Sequence, residues 1–254
     1  MASLMAHRKL LMAKPSREYI YGINPAFEVV RAGKRRVYEA YMNEASAQRS
    51  RIRKLSQYLG KAEIPIQWVN KRRVMDLSGS KDHQGVVLKT APYPYQPSDT
   101  LWGRPRLLLL DNVEDPHNVG AILRSAEIFG FNTVLLSKKG VPDIYPSVVK
   151  VSAGATEFLD IAKDGSANSY VRTAQDGGYQ VVVLDTSGTV DIRAVRAQLS
   201  DKVIVVLGGE DRSVGQFILN AADFVVSIGQ RGRINSLNAS VAAGISLFAL
   251  YADP

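Results

Sequence analysis

The stretch Arg106–Gly130, "RLLLLDNVEDPHNVGAILRSAEIFG", decides the fold class. Its opening apolar run is far too short to cross a bilayer and has the length of a buried strand. A polar loop follows, then a run of small and apolar residues at helical spacing that stops at Gly130. A continuous apolar strand feeding a helix is the repeating unit of a parallel α/β sheet, whose strands are covered on both faces and need not alternate. The unit recurs downstream. "NTVLLSK", "FLDIAK", "YQVVVLDTSG", "VIVVLGG" and "FVVSIG" read as strands. "PSVVKV", "NSYVRTAQDGG" and "GQFILNAA" read as helices between them, and a last helix is expected from Ala239.

Upstream lies "APYPYQPSDTLWGRPR", with four prolines, which reads as an extended linker over 91–105. Residues 16–90 before it form a smaller α/β unit. A turn is expected at Gly22–Pro25, then helical spacing through Ala26, Val29 and Val30 to a stop at Gly33, then a strand at Val37–Met42. A second helix places Ile52, Leu55 and Leu59 on one face and stops at Gly60, ahead of a strand at Ile64–Val69. The helical piece "RRVMDLSG" and a strand around Val86–Leu88 complete it. Residues 1–15 carry Arg8, Lys9 and Lys14 and no acid, as expected of a basic arm or the remnant of an organellar transit peptide.

The chain is 46% hydrophobic and 22% charged, a globular composition. It has no cysteine, which excludes disulfides, thiolate zinc sites and a cysteine nucleophile. That fits a reducing compartment: the cytoplasm, with a mitochondrial matrix or other organelle as the alternative. The net charge of +8 is unevenly placed: up to Arg106 there are 20 Lys and Arg against 8 acids, and beyond it 12 against 16. A basic first segment suggests a polyanionic partner, with a solvated basic face as the plainer alternative.

In open parallel sheets, function gathers in loops after the carboxyl ends of strands. Three such loops are chemically loaded, after Leu110, Leu207 and Ile228. None carries the dinucleotide fingerprint, the P-loop or the nucleophile elbow. His7, His83 and His117 have no metal-ligand spacing, so no metal is expected. In the first loop Asn118 reads as a helix N-cap, and Gly120 and Ala121 allow close backbone approach. Arg124 is the one long cation in its helix, either ion-paired for structure or held for chemistry. The second loop presents Gly208, Gly209 and Glu210. The third runs through "GQRGRINSLNAS", with Ser236, Leu237 and Asn238 at a helix start.

Taken together, the three loops resemble the motifs of the SpoU (TrmH) family of RNA ribose 2′-O-methyltransferases, in the SPOUT superfamily. The first motif is matched by Asn118, Gly120, Arg124 and Ala126, the second by Leu207, Gly208 and Glu210, and the third by Ser236, Leu237, Asn238 and Ser240. The front segment, with "YIYGINPAFEVVRAG" and "DHQGVV", resembles the L30-like RNA-binding domain of the ribosomal-RNA members.

The resemblance implies a SPOUT catalytic domain over 106–254, with a parallel sheet and a C-terminal trefoil knot, a rare exception to unknotted topology. S-adenosylmethionine would sit in the knot against Leu207, Gly208, Gly209, Ile228, Gln230, Leu237 and Asn238. Arg124 would stabilise charge developing on a ribose 2′-oxygen, with Asn118, Glu210, Ser236 and Asn238 orienting it, the ribose and the cofactor. The substrate would be the ribose 2′-hydroxyl of a guanosine in large-subunit ribosomal RNA rather than transfer RNA. Arg35, Arg36, Arg51, Arg53, Arg72 and Arg73 would meet its phosphates. The working unit would be a homodimer through the knot region, with no membrane association.

Two departures from the family pattern stand out. "EDRSVG" replaces the glycines that usually follow the motif-two glutamate, and Gly229-Gln230 replaces a proline and a methionine. They bear on cofactor affinity more than on reaction type. They also favour the alternative reading, an RNA-binding ribosome-assembly factor of the same fold without catalysis.

Overall fold

The computed structural model describes residues 16–209, 213–233 and 236–251. The chain divides into two compact units after Pro94, inside the proline-rich stretch. Among the described residues no helix is long and apolar enough to cross a membrane.

The first unit runs β1 (Glu18–Tyr21), α1 (Ile23–Ala32), β2 (Val37–Asn43), α2 (Ser50–Lys61), β3 (Ile66–Val69), α3 (Lys71–Ser78) and β4 (Val86–Thr90). Its sheet has the order β1-β4-β2-β3, with β4 antiparallel to both neighbours and β3 parallel to β2. Strand alternation divides the side chains. Tyr21, Tyr41 and Val87 cluster with Val74 of α3. Buried Ile20, Met42 and Leu88 point to the opposite face, where α1 and α2 bring Ala26, Val29, Ile52, Leu55 and Leu59. Several boundaries differ from the sequence reading, among them β3, which begins at Ile66 and not at Ile64. Gly22–Pro25 is not a free turn, because Gly22 at φ 101° caps α1 and Pro25 sits in its first turn, where no amide hydrogen is required. Gly60 does not stop α2, which ends one residue later at Lys61.

The second unit runs β5 (Arg106–Leu110), α4 (Pro116–Ile128), β6 (Thr133–Leu136), α5 (Pro146–Val151), β7 (Asp160–Ala162), α6 (Ala167–Asp176) and β8 (Gln180–Leu184). It continues through β9 (Val190–Asp191), α7 (Ile192–Val195), β10 (Val203–Leu207), α8 (Gln216–Ala221), β11 (Phe224–Ser227) and α9 (Ala239–Leu250). Its strands form one parallel sheet in the order β7-β6-β5-β10-β8-β11-β9. Leu107, Leu109, Val181, Val183, Ile204 and Val206 pack on one face with Tyr170, Val171 and Ala174 of α6. Each buried aliphatic side chain contributes roughly 1.5–3 kcal/mol, so this layer is a large part of the unit's stability. The short β9 and α7 were not legible in the sequence. Residues 96–103, read there as linker, pack on this unit: Gln96 N–H donates to Ile161 O, Leu101 is buried, and Gly103 N–H donates to the Tyr179 hydroxyl.

Helix α4 starts earlier than expected. Its N-cap is Asp115, whose carboxylate accepts from His117 N at 2.9 Å, and Pro116 occupies the first helical position. Asn118 is therefore inside the first turn and its side chain is released for another partner. Gly120 lies against α5, where an added Cβ would stand 2.7 Å from Val151 Cβ and 2.9 Å from Val148 O.

Candidate active site

The carboxyl ends of β10, β8 and β11, neighbours in the sheet, open into a cavity of about 660 Å³. Gly208 and Gly209 after β10 form one wall. Ile228, Gly229 and Gln230 after β11 form another, and Ser236, Leu237 and Asn238 lead from it into α9. Sequence reasoning missed the third wall: Leu184 at the end of β8 and Asp185 and Thr186 after it, with Ser213 also in the lining. Its one sequence signal was the polar "DTSG" at the end of an apolar strand. The loop after β5, the first of the three chemically loaded loops, contributes none of the described lining residues.

Gly208 follows from local packing. A Cβ there would fall 2.8 Å from Val214 N and 3.0 Å from Ser213 Cα, so only glycine lets the β10 loop fold back and leave its backbone facing the cavity. Leu207, also expected to touch a cofactor, is the last residue of β10 and 3% exposed. It is not among the lining residues, and its carbonyl accepts from Asp111 N at 3.0 Å.

Asp185 is the carboxylate among the described lining residues. Burial alone would raise its pKa, but donors from the Ser187 hydroxyl at 2.6 Å, Ser187 N at 2.8 Å and the Ser213 hydroxyl outweigh burial and hold it below the usual carboxylate range. It is thus a fixed negative acceptor on the cavity wall.

Asn238 ties the third loop to the first. Its Oδ1 accepts from Ser240 N at 3.0 Å and Val241 N at 3.3 Å, capping α9, and from the Ser240 hydroxyl at 2.6 Å. Its Nδ2 donates to Asn118 Oδ1 at 3.0 Å. One amide therefore serves as both cap and cross-link, and Asn118 belongs to this link instead of capping its own helix. Arg124 lies exposed on α4, outside the cavity lining, and among the described residues no carboxylate forms an ion pair with it. The structural ion-pair reading of Arg124 therefore has no support there. Glu210 lies outside the described residues.

Two family profiles match the chain: "SpoU rRNA Methylase family" over residues 105–248 and "RNA 2'-O ribose methyltransferase substrate binding" over 19–96. The chain belongs to the SpoU family. The family is one of S-adenosylmethionine-dependent RNA ribose 2′-O-methyltransferases. Among its relatives, a Bacillus subtilis protein named as a putative TrmH family tRNA/rRNA methyltransferase is 29% identical over 92% of this chain and 95% of its own length. A Mycobacterium protein named as an uncharacterised tRNA/rRNA methyltransferase is 34% identical over 91% of this chain and 74% of its own. The fold is shared with the SpoU methyltransferase AviRb of Streptomyces viridochromogenes in complex with AdoMet (TM-score 0.74, 21% identity, 92% of this chain and 89% of that one). It is shared too with an AdoMet-bound rRNA methyltransferase of Sinorhizobium meliloti (TM-score 0.76, 22% identity, 97% and 89%).

The SpoU motifs thus fall into distinct places. Gly208, Gly209, Ile228, Gln230, Ser236, Leu237 and Asn238 share the cavity, Asn118 reaches it through Asn238, and Arg124 stands outside its lining. The six arginines expected to meet RNA separate as well. Arg51, Arg53, Arg72 and Arg73 are exposed. Arg35 is not available: its side chain is 0% exposed, its Nη1 donates to Glu18 Oε2 at 2.7 Å, and it stacks over Tyr93. Its sequence neighbours gave no sign of that burial, because the carboxylate and the ring come from other segments. Arg36 is exposed and lies over the Tyr38 ring.

Proposed function

We propose that the protein transfers a methyl group from S-adenosylmethionine to the 2′-hydroxyl of a guanosine in large-subunit ribosomal RNA. The observation that carries this reading is the cavity at β10, β8 and β11, which gathers residues of the second and third SpoU motifs on a backbone-lined wall. The cavity fits such a cofactor on its own terms. Its volume lies within the roughly 300–1,000 Å³ usual for small-molecule sites. A Cβ would fill the approach at Gly208, Leu237 and Ile228 offer apolar contact, and Asp185 offers an acceptor for hydroxyl or ammonium hydrogens.

When bound, S-adenosylmethionine supplies an electrophilic methyl group on a sulfonium. The chain's own task is to hold the ribose oxygen in line and to stabilise the charge it develops. Asn238 and Asn118 hold the third loop against α4, and Arg124 on that helix supplies the cation for the 2′-oxygen and its adjoining phosphate. A guanidinium keeps its proton, which suits it to charge stabilisation better than to proton removal. Ser236 and Glu210 complete the orienting set. The ribosomal preference draws support from the name of the matching family.

The path of the C-terminal segment supports the knot. After β11, α9 returns to pack against α4, the helix that follows β5, three places away in the sheet. We assign the homodimer to the same region. Helix α9 is apolar on all sides, and a helix of that kind is ordinarily covered. Val241, Ile245 and Phe248 are nevertheless exposed, next to Ile128 of α4, with Phe129, Phe248 and Tyr251 in mutual ring contact. The reading places the protein in the cytoplasm.

The test is to incubate the purified protein with unmodified ribosomal RNA and methyl-labelled S-adenosylmethionine, then digest with alkali. Label in alkali-resistant dinucleotides with guanosine at the 5′ position is the expected result. Label on a base refutes ribose chemistry. No incorporation together with no calorimetric binding of the cofactor leaves the assembly-factor reading in its place.

A further inference from the structure

The turn "DTSG" after β8, Asp185–Gly188, is pinned to the neighbouring strand by its backbone. Asp185 N–H donates to Val226 O at 3.0 Å, just past the Leu184–Val226 pair of the sheet, and Gly188 N–H closes the turn on Asp185 O at 3.1 Å. Gly188 lies against β11, where an added Cβ would stand 2.5 Å from Val226 C and 2.8 Å from Ser227 N. Glycine is therefore required for the turn to close on the strand, and the Asp185 carboxylate is carried on a fixed frame.

The charge on that frame has no counter-charge. Asp185 is the one charged side chain among the described residues of the cavity lining, and among the described residues no Lys or Arg pairs with it. Its oxygens accept from neutral donors: Ser187 N and hydroxyl on Oδ1, and the Ser213 hydroxyl on Oδ2. Such donors keep the carboxylate ionised without cancelling its charge. Ser213 belongs to the "EDRSVG" departure, and its hydroxyl is a donor that a glycine lacks. Asp191 makes the contrast. Its Oδ2 lies 3.4 Å from where a Cβ on Gly229 of the lining would stand, but Arg193 donates to both of its oxygens, at 2.8 and 2.6 Å, so its charge is matched.

We infer that Asp185 is the residue by which the cavity tells S-adenosylmethionine from its spent form, favouring the sulfonium cation over the neutral thioether that remains after methyl transfer. This rests on the methyltransferase reading of the cavity. The two molecules share the nucleoside, the ammonium and the carboxylate, and differ by one methyl group and one positive charge. Shape and apolar contact at Gly208, Ile228 and Leu237 can read the methyl group but not the charge. A fixed anion reads the charge, and its pull falls off only as the inverse of distance. The Debye length of about 8 Å at physiological salt is comparable with the span of a cavity of about 660 Å³, so the carboxylate is felt throughout it. Methyl transfer then removes the attraction that favoured binding, and the product is left in a site that no longer prefers it.

The experiment titrates the purified full chain calorimetrically with three ligands: S-adenosylmethionine, its demethylated thioether, and an analogue in which a carbon bearing an ammonium replaces the sulfonium. The parent is expected to bind both cations more tightly than the thioether. Asp185→Asn should cut that preference roughly tenfold, the size expected for unit charges several ångström apart in partly solvated surroundings. The thioether's own affinity should stay within about twofold of the parent's, because it has no sulfonium charge to lose. Asp185→Glu, which keeps the charge, should keep the preference. Raising the salt concentration should shrink the preference in the parent and leave Asp185→Asn unmoved. The analogue and the salt series on the parent need no substitution, so they decide the matter even if a variant unfolds.

An unmoved preference in Asp185→Asn, an equal loss of all three ligands, or a parent that binds the ammonium analogue no better than the thioether each overturns the inference and leaves the cofactor site standing. A parent that binds none of the three overturns the methyltransferase reading, and this inference with it.

Discussion

The two units gather different materials at the ends of their sheets. Among the described residues, the second unit has backbone, small residues and one fixed carboxylate around a cavity; the first has long cations at the starts of helices. The difference teaches what each site needs. A buried small molecule is held by shape, so a single Cβ matters and charge must be spare. A polyanion is held by summed long-range attraction, so cations matter in number and tolerate exposure.

The sharpest way to break the comparison lies in one cation of the second unit, Arg124 on α4. Arg124→Ala should lower kcat by roughly 10²–10³-fold, as for removal of a group that stabilises transition-state charge. Cofactor affinity should hold within a factor of about two, because removing an interaction made only in the transition state leaves ground-state binding alone. An active variant would refute the assignment, and a weakened cofactor would place Arg124 on the binding side.

Next in size is Gly208→Ala. The added Cβ meets backbone at 2.8–3.0 Å, which a flexible side chain cannot relieve. Calorimetry should show cofactor affinity reduced by about tenfold or more, in keeping with overpacking costs of about 1–3 kcal/mol. RNA binding by the first unit should be unaffected. Equal loss of both would mean that shape and charge are not divided between the units as described.

A smaller effect is expected at Asn238→Ala, which removes the cap of α9 and the link to Asn118 together. Thermal or urea unfolding should show a loss of about 1 kcal/mol for the cap. Asn118→Ala should cost less, since the cap survives it.

The smallest effect concerns acid. The Asp185 carboxyl is held below its unfolded value, so its contribution is present above that value and lost as pH falls through the folded one. Asp185→Asn should therefore flatten the acid limb of the stability profile, and a parent and variant with superimposable limbs would remove Asp185 from the cavity's support.

The parallel sheet was legible because its strands are continuous apolar runs and its helices carry clear stops; Leu107–Leu110 and Val203–Leu207 needed no tertiary information. The cavity was legible in part. Gly208, Ile228 and Leu237 were found as loop residues after two strands, whereas Asp185 was missed because a polar residue after a strand is common and nothing local sets it apart. The N-cap of α4 was misplaced for a local reason: Asp115 and Asn118 are both good caps, and Pro116 decides between them by favouring the first helical position.

Periodicity, charge balance and loop chemistry, all carried by residues close together in the chain, determined two α/β units, a basic first segment and the chemical character of the loops. Tertiary structure alone decided that β8 lies between β10 and β11 and so brings Asp185 to the cavity, that Asn238 reaches Asn118, and that Arg35 is buried while Arg51 and Arg72 are not. The physical reason is distance along the chain. Those outcomes depend on which remote segment arrives beside a residue, and no local preference encodes that.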